Sequence, residues 1–263
     1  MSRIDLTFRK LKEKGRAALI SFLVAGDPDL QSTEALVIKM AEGGADIIEL
    51  GLPYSDPLAD GPTIQAASQR ALKRNVNLGD IFNLAGHLRG LKTPLVIMTY
   101  FNPILQYGLK AFAEDCRKSS IDGVIIPDLP PEEARMWILE ARHSGVDTIF
   151  LAAPTSPPER VRSIEKLSRG FIYYVSSAGV TGPREKLPPE LELAVRRMKE
   201  QTSKPVAVGF GISTPEQARQ ISRYADGIIV GSAIVKIVAE ATPKAYMIDR
   251  VGDFVSSLAA AFE

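Results

Sequence analysis

Apolar residues in this chain gather in short runs, each bounded by turn-forming or charged positions. In order they are AALISFLVAG (17–26), ADIIELG (45–51), TPLVIMTYF (93–101), DGVIIPD (122–128), DTIFLAAP (147–154), GFIYYVSSAG (170–179), KPVAVGFG (204–211) and DGIIVGS (226–232). They are rich in Val, Ile, Phe and Tyr and lack strict alternation, the pattern of parallel strands buried on both faces. Between them lie stretches with helical start and stop signals. Ser156-Pro-Pro-Glu159 and Thr214-Pro-Glu-Gln217 fit a capping box with Pro at the first helical position. Asp128 precedes Leu-Pro-Pro-Glu-Glu, which predicts acids in a first helical turn, and Gly145 and Gly170 stand where helices should close. An Asp recurs just ahead of three strands, at Asp46, Asp122 and Asp226, a weak internal repeat that supports a repeated βα unit. Eight strands alternating with helices predict one (β/α)₈ barrel domain over residues 1–263 with an N-terminal helix. A doubly wound sheet is the alternative that strand count leaves open.

Two connections are long. The second holds PYSDPLADGP and two predicted helices, TIQAASQRALKRN and LGDIFNLAGHLRG. The sixth holds AGVTGPREKLPPE, where Gly179 and Gly182 would let a lid move. Both leave strand C-terminal ends, the face on which barrel active sites lie.

Composition changes this picture little. The chain has 263 residues, a net charge of +1 and no basic stripe, which argues against nucleic acid or an anionic membrane as partner. Cys116 is the only cysteine, which fits a reducing cytosol, and the first residues lack the apolar run of a signal peptide. The expected location is the cytoplasm, or the plastid stroma if the source is a plant.

The candidate chemistry lies in ELGLPYSDPLADG (49–61) and near the last two strands. Glu49 follows Ile47-Ile48 at the end of an apolar strand. It is read as a desolvated carboxyl with a raised pKa, suited to acid/base work near neutrality, against the alternative of a solvated or ion-paired Glu. Asp56 and Asp60, on a Pro/Gly-rich loop, are as easily turn formers as functional acids. Gly209-Phe210-Gly211 and Gly231-Ser232 close adjacent strands, and with Gly182 they could hold a phosphate on backbone N–H groups and the Ser232 hydroxyl. Tyr173 and Tyr174 point to opposite faces of one strand, and periodicity does not say which points inward. No Lys sits at a strand C-terminal end, which disfavours Schiff-base chemistry. His87 and His143, both in helical stretches, offer no metal cluster. What remains is a small phosphate ester handled by carboxylates, with no metal and no covalent intermediate.

ELGLPYSDPLADG closely resembles the signature of the tryptophan synthase alpha subunit family. FLVAGDPD (22–29), TYFNPI (99–104), PDLPPEEA (127–134), SSAGVTG (176–182) and GFGIS (209–213) are similar to its other motifs in order and spacing. The resemblance covers essentially the whole chain. It implies a (β/α)₈ barrel and retro-aldol cleavage of indole-3-glycerol phosphate to indole and glyceraldehyde 3-phosphate. By the same resemblance Glu49 would protonate indole C3, Asp60 would accept from the indole N–H, and Tyr173 would lie against the substrate. Thr181 would close over the site and orient Asp60. Gly182, Phe210, Gly211, Gly231 and Ser232 would lie at the phosphate end, and Phe22, Met98 and Ile125 would line the indole pocket. An αββα complex with a beta subunit is implied, with Asp56, Pro57, Asn102 and Pro103 at the contact. Its pyridoxal phosphate belongs to the partner, so no cofactor is expected in this chain. Tyr54 stands where the family usually has Phe, and Ser177 where Arg is common. Rival readings are another phosphate-binding barrel, such as a sugar-phosphate isomerase or indole-glycerol-phosphate synthase, and a non-catalytic activator of the beta subunit. The synthase would need a strand-borne Lys that is missing, and intact Glu49 and Asp60 argue against the activator.

Overall fold

The computed structural model describes residues 1–175, 187–209 and 211–262. All eight apolar runs form strands, the fifth in two pieces. They are β1 (Ala18–Val24), β2 (Ile47–Gly51), β3 (Leu95–Met98), β4 (Gly123–Ile125), β5 (Asp147–Ile149), β6 (Leu151–Ala152), β7 (Ile172–Val175), β8 (Val206–Gly209) and β9 (Gly227–Val230). Every neighbouring pair is parallel, in the order β5-β4-β3-β2-β1-β9-β8-β7-β6. The two ends of that order, β5 and β6, are separated only by Phe150. The interrupted strand therefore joins both edges and brings the sheet round into a barrel, which decides against the doubly wound alternative.

Closure sorts the apolar residues into two layers. Ala18, Ile20, Ile47, Val96, Ile125, Ile149, Phe171, Ala207 and Ile229 pack together in the barrel interior. Outward-facing strand residues such as Leu19, Ile48, Leu50, Ile97, Val124 and Tyr174 pack against the surrounding helices. A parallel strand buried on both faces needs apolar side chains at every position, which is why the runs show no alternation.

The N-terminal ends of the strands are closed by the helix Arg3–Glu13, which puts Ile4, Phe8 and Leu11 into the interior cluster. A full capping box on Ser2 and Asp5 starts this helix. Phe8 is 5 % exposed and its ring lies 5.6 Å from that of Phe171. Phe8→Ala should cost about 3–5 kcal/mol through lost contacts and an unfilled cavity. Urea unfolding followed by circular dichroism would show it, and an unchanged midpoint would mean that the helix is not a structural plug.

The recurrent Asp has a physical role at this end. Asp46, Asp122 and Asp226 each accept from the backbone N–H of an adjoining strand residue, Leu19 at 2.8 Å, Leu95 at 2.9 Å and Val206 at 2.9 Å. Each also pairs with a cation, respectively Arg16, Arg3 and Lys199. These carboxylates bond N–H groups at the bottom of the barrel, far from the loops that carry chemistry.

Some local expectations are corrected. Ser156 does not cap the helix Pro158–Leu167; its hydroxyl accepts from Ala153 N–H and folds the preceding turn. Glu132 and Glu133 lie in turns before a helix that starts at Arg135, and Asp128 instead accepts from Phe101 N–H at 2.9 Å. Gly170 follows a helix that already ends at Leu167, whereas Gly145 does close its helix in the left-handed conformation with φ 73°. Thr214 caps as expected, but Gln217 turns its side-chain oxygen to Ser213 N–H. The second connection contains both expected helices, Pro62–Leu72 and Leu78–His87. Most of the extended part of the sixth connection, including Ser177, Gly179, Thr181 and Gly182, lies outside the described residues, as does Phe210.

Candidate active site

Glu49 is the third residue of β2, two positions after the inward-facing Ile47. Strand alternation therefore turns its side chain into the barrel. Phe22 on β1 and Val96 on β3 flank it in register. It is 1 % exposed, and among the described residues neither carboxylate oxygen has a hydrogen-bond partner. Burial, reinforced by the negative charge of Asp60, pushes its carboxyl up to about 8. Among the described residues, no cation and no hydrogen-bond donor meets the carboxylate to stabilise the ionised form.

Asp60 reaches the same space from the loop after β2. Two hydrogen bonds to its main chain shape its turn: its N–H donates to Pro57 C=O at 3.1 Å, and the Gln65 side chain donates through Nε2 to its carbonyl at 2.8 Å. Burial raises its carboxyl to about 6, against a lowering hydrogen bond from the Tyr100 hydroxyl. Asp60 follows Glu49 by a turn of Pro, Ser and Asp residues, so sequence alone could not say whether it folds back over the strand end. In the folded chain Asp60 stands close enough for its charge to act on Glu49.

Tyr173, not Tyr174, is the inward residue of β7: Tyr173 packs on the interior cluster and Tyr174 on the outer one. Burial and the charges of Glu49 and Asp60 hold the Tyr173 hydroxyl well above its ordinary value, so it stays protonated beside them. A Cβ at Gly209 would come within 2.8 Å of the Tyr173 ring, so the glycine on β8 gives the tyrosine its place. Phe22 is accommodated in the same way, its ring 2.6 Å from a Cβ built at Gly51 and 3.0 Å from one at Gly231. Met98 and Ile125, at the C-terminal ends of β3 and β4, are paired in register and join the interior cluster. Phe22, Met98, Ile125 and Tyr173 thus form an apolar and aromatic wall around Glu49.

Beyond β9, Gly231 is the N-cap of the helix Ser232–Glu240, with Ser232 8 % exposed. The first N–H groups of that helix have no intrahelical acceptor and carry the positive end of its dipole. Gly211, at φ 50°, follows β8 on the neighbouring strand end. These features offer an anion-binding corner one strand away from the Phe22 wall.

Sequence reasoning missed two residues here. Asp27, 2 % exposed, receives two hydrogen bonds from Arg70, at 2.8 and 2.7 Å, fastening the helix that follows Asp60 to the loop after β1. Its place in GDPD carried no signal of a partner more than forty residues on. The other is Tyr100, which reads as the apolar end of a strand but bonds the Asp60 loop.

The family model described as "Tryptophan synthase alpha chain" matches residues 8–263. The chain belongs to the tryptophan synthase alpha chain family. Family membership makes it a lyase of the alpha reaction, the retro-aldol cleavage of indole-3-glycerol phosphate to indole and glyceraldehyde 3-phosphate. A tryptophan synthase alpha chain of Thermoanaerobacter sp. (strain X514) is 49% identical over 260 residues, covering 98% of each chain. That of Geobacter sulfurreducens is 49% identical over 259 residues with the same coverage. The solved alpha subunit of Legionella pneumophila superposes with a TM-score of 0.93 at 39% identity, covering 100% of this chain and 98% of the other. A chain of Mycobacterium tuberculosis tryptophan synthase gives 0.92 at 40% identity, covering 99% and 98%. Membership of the family implies a beta-subunit partner. No helix among the described residues is long and apolar enough to cross a membrane.

Proposed function

We propose that Glu49 and Asp60 perform the alpha reaction in this protein, with the indole ring held between Phe22, Met98, Ile125 and Tyr173. The observation that carries this reading is Glu49 itself, a buried carboxyl with both oxygens unpartnered among the described residues and its titration moved to about 8. At neutral pH such a group carries a proton and can donate it, as C3 protonation requires. Glu49 gives its proton to indole C3, which turns the ring into an electron sink. It then takes the proton of the hydroxyl on the adjoining glycerol carbon. The bond between that carbon and C3 breaks, its electron pair returns to the ring, and the hydroxyl carbon leaves as the aldehyde. Glu49 ends as it began. Asp60, ionised above about pH 6, accepts from the indole N–H and stabilises the positive charge that develops on the ring. The phosphate would rest on Gly211, Gly231 and Ser232 together with Gly182 and Phe210, and Thr181 would close over the site and orient Asp60.

The released indole would pass to a beta subunit in an αββα assembly, where the pyridoxal phosphate would reside. Asp56 and Asn102 are exposed and Pro57 and Pro103 half-buried, at the same end of the barrel. Leu58, 84% exposed, and Leu105, 55% exposed, lie beside them as apolar surface of the kind a partner covers.

An indole-release assay on indole-3-glycerol phosphate, run with and without the beta subunit, tests the proposal. Indole is expected in both, with faster release in the complex. No indole in either would return the chain to the reading of a non-catalytic activator.

A further inference from the structure

The loop from Tyr54 to Asp60 is met near both of its ends by one tyrosine of the neighbouring strand end. Tyr100, just beyond β3, is 5 % exposed although it lies at the mouth of the barrel. Its hydroxyl accepts from Ala59 N–H at 2.9 Å. The carboxylate of Asp60, the next residue along, lies close enough to interact with the same hydroxyl. Its ring stacks on Tyr54 at the start of the same loop, with centroids 4.9 Å apart and planes at 25°. Tyr54 in turn accepts from Asn102 Nδ2 at 3.4 Å. Tyr100 thus grips both ends of the loop, stacking on Tyr54 at one and accepting from Ala59 N–H at the other.

We propose that Tyr100 is a positioning residue for the cleavage reaction, its hydroxyl aiming the Asp60 carboxylate at the indole nitrogen while its stack on Tyr54 fixes the loop. This rests on the assignment of Asp60 given above. A carboxylate on a Pro/Gly-rich loop has many orientations, and fixing one lowers the cost of reaching the transition state. Tyr100 itself does not touch the reacting atoms. Among the described residues, the titratable groups acting around Asp60 are Glu49 from β2, Tyr173 from β7 and Tyr100, with Asp128 acting on Tyr100 from beyond β4.

The test is Tyr100→Phe in the complex with the beta subunit, assayed from pH 5 to 9. The ring and its stack remain and only the hydroxyl is lost. Turnover should fall about ten-fold, with KM within two-fold of wild type. The acid limb of kcat/KM should move to higher pH, because the ionised form of Asp60 loses a donor. A purely structural role would lower the melting temperature and leave that limb in place. Wild-type turnover, or an unmoved acid limb, overturns the proposal. Asp60→Asn runs alongside: wild-type turnover there would sink the assignment of Asp60 and this proposal with it, whereas an inactive Asp60→Asn beside a normal Tyr100→Phe sinks the positioning role alone. If Tyr100→Phe fails to fold, Tyr54→Leu removes the ring beneath Tyr100 and leaves the hydroxyl. The same two shifts, if smaller, then support the proposal, and wild-type values for both overturn it.

Discussion

Glu49→Gln is expected to cut indole release by about 10²–10⁴-fold, the usual worth of a positioned general acid, and to change how stability depends on pH. The catalytic loss follows because an amide cannot deliver a proton to C3. The stability effect follows from burial. The folded carboxyl titrates at about 8 against an ordinary 4.5. Between those values the folded chain keeps a proton that the unfolded chain has lost. Stability should therefore be fully present below about pH 4.5, decline as pH rises and level off above about pH 8. The slope is about 1.4 kcal/mol per pH unit, so the decline amounts to a few kcal/mol by pH 8. Glutamine has no such titration, and the cost of burying its amide is the same at every pH. Urea midpoints of the two proteins at pH 5 and pH 8 should separate in favour of Glu49→Gln at the higher pH. A gap that does not widen would mean that Glu49 finds a partner in solution, and retained turnover would remove it as the acid.

Asp60→Asn should lower turnover by about 10²–10³-fold, as for the loss of one group that stabilises developing charge. Inhibition by glyceraldehyde 3-phosphate should stay near wild type, since the phosphate corner lies on β8 and β9. In the wild-type enzyme kcat/KM should trace a bell, with an acid limb near 6 where Asp60 ionises and an alkaline limb near 8 where Glu49 loses its proton. The two groups are coupled, so the limbs belong to the pair. The acid limb should vanish in Asp60→Asn. Equal loss of turnover and of glyceraldehyde 3-phosphate affinity would point instead to collapse of the loop.

Most of the barrel could be read from the chain because its signals are local. A strand buried on both faces shows as an unbroken apolar run, and glycines and prolines mark the turns between such runs. The break at Phe150 was not legible, since DTIFLAAP is one continuous run; only pairing with β4 on one side and β7 on the other divides it. Ser156 failed as a cap for a similar reason, its hydroxyl having a nearer backbone partner in Ala153.

The candidate site divides along the same line. The sequence by itself determined that Glu49 lies in an apolar strand run that contains no cation, that glycines follow the last two strands, and that the motifs resemble one family. Those are properties of neighbouring residues. Tertiary structure alone decided that the charge of Asp60 reaches Glu49, that Tyr173 rather than Tyr174 faces inward, and that Tyr100 holds the loop. Each of these depends on how strands far apart in the chain meet around a closed barrel. Burial and charge act through space, and only closure brings those carboxyls and hydroxyls within reach of one another.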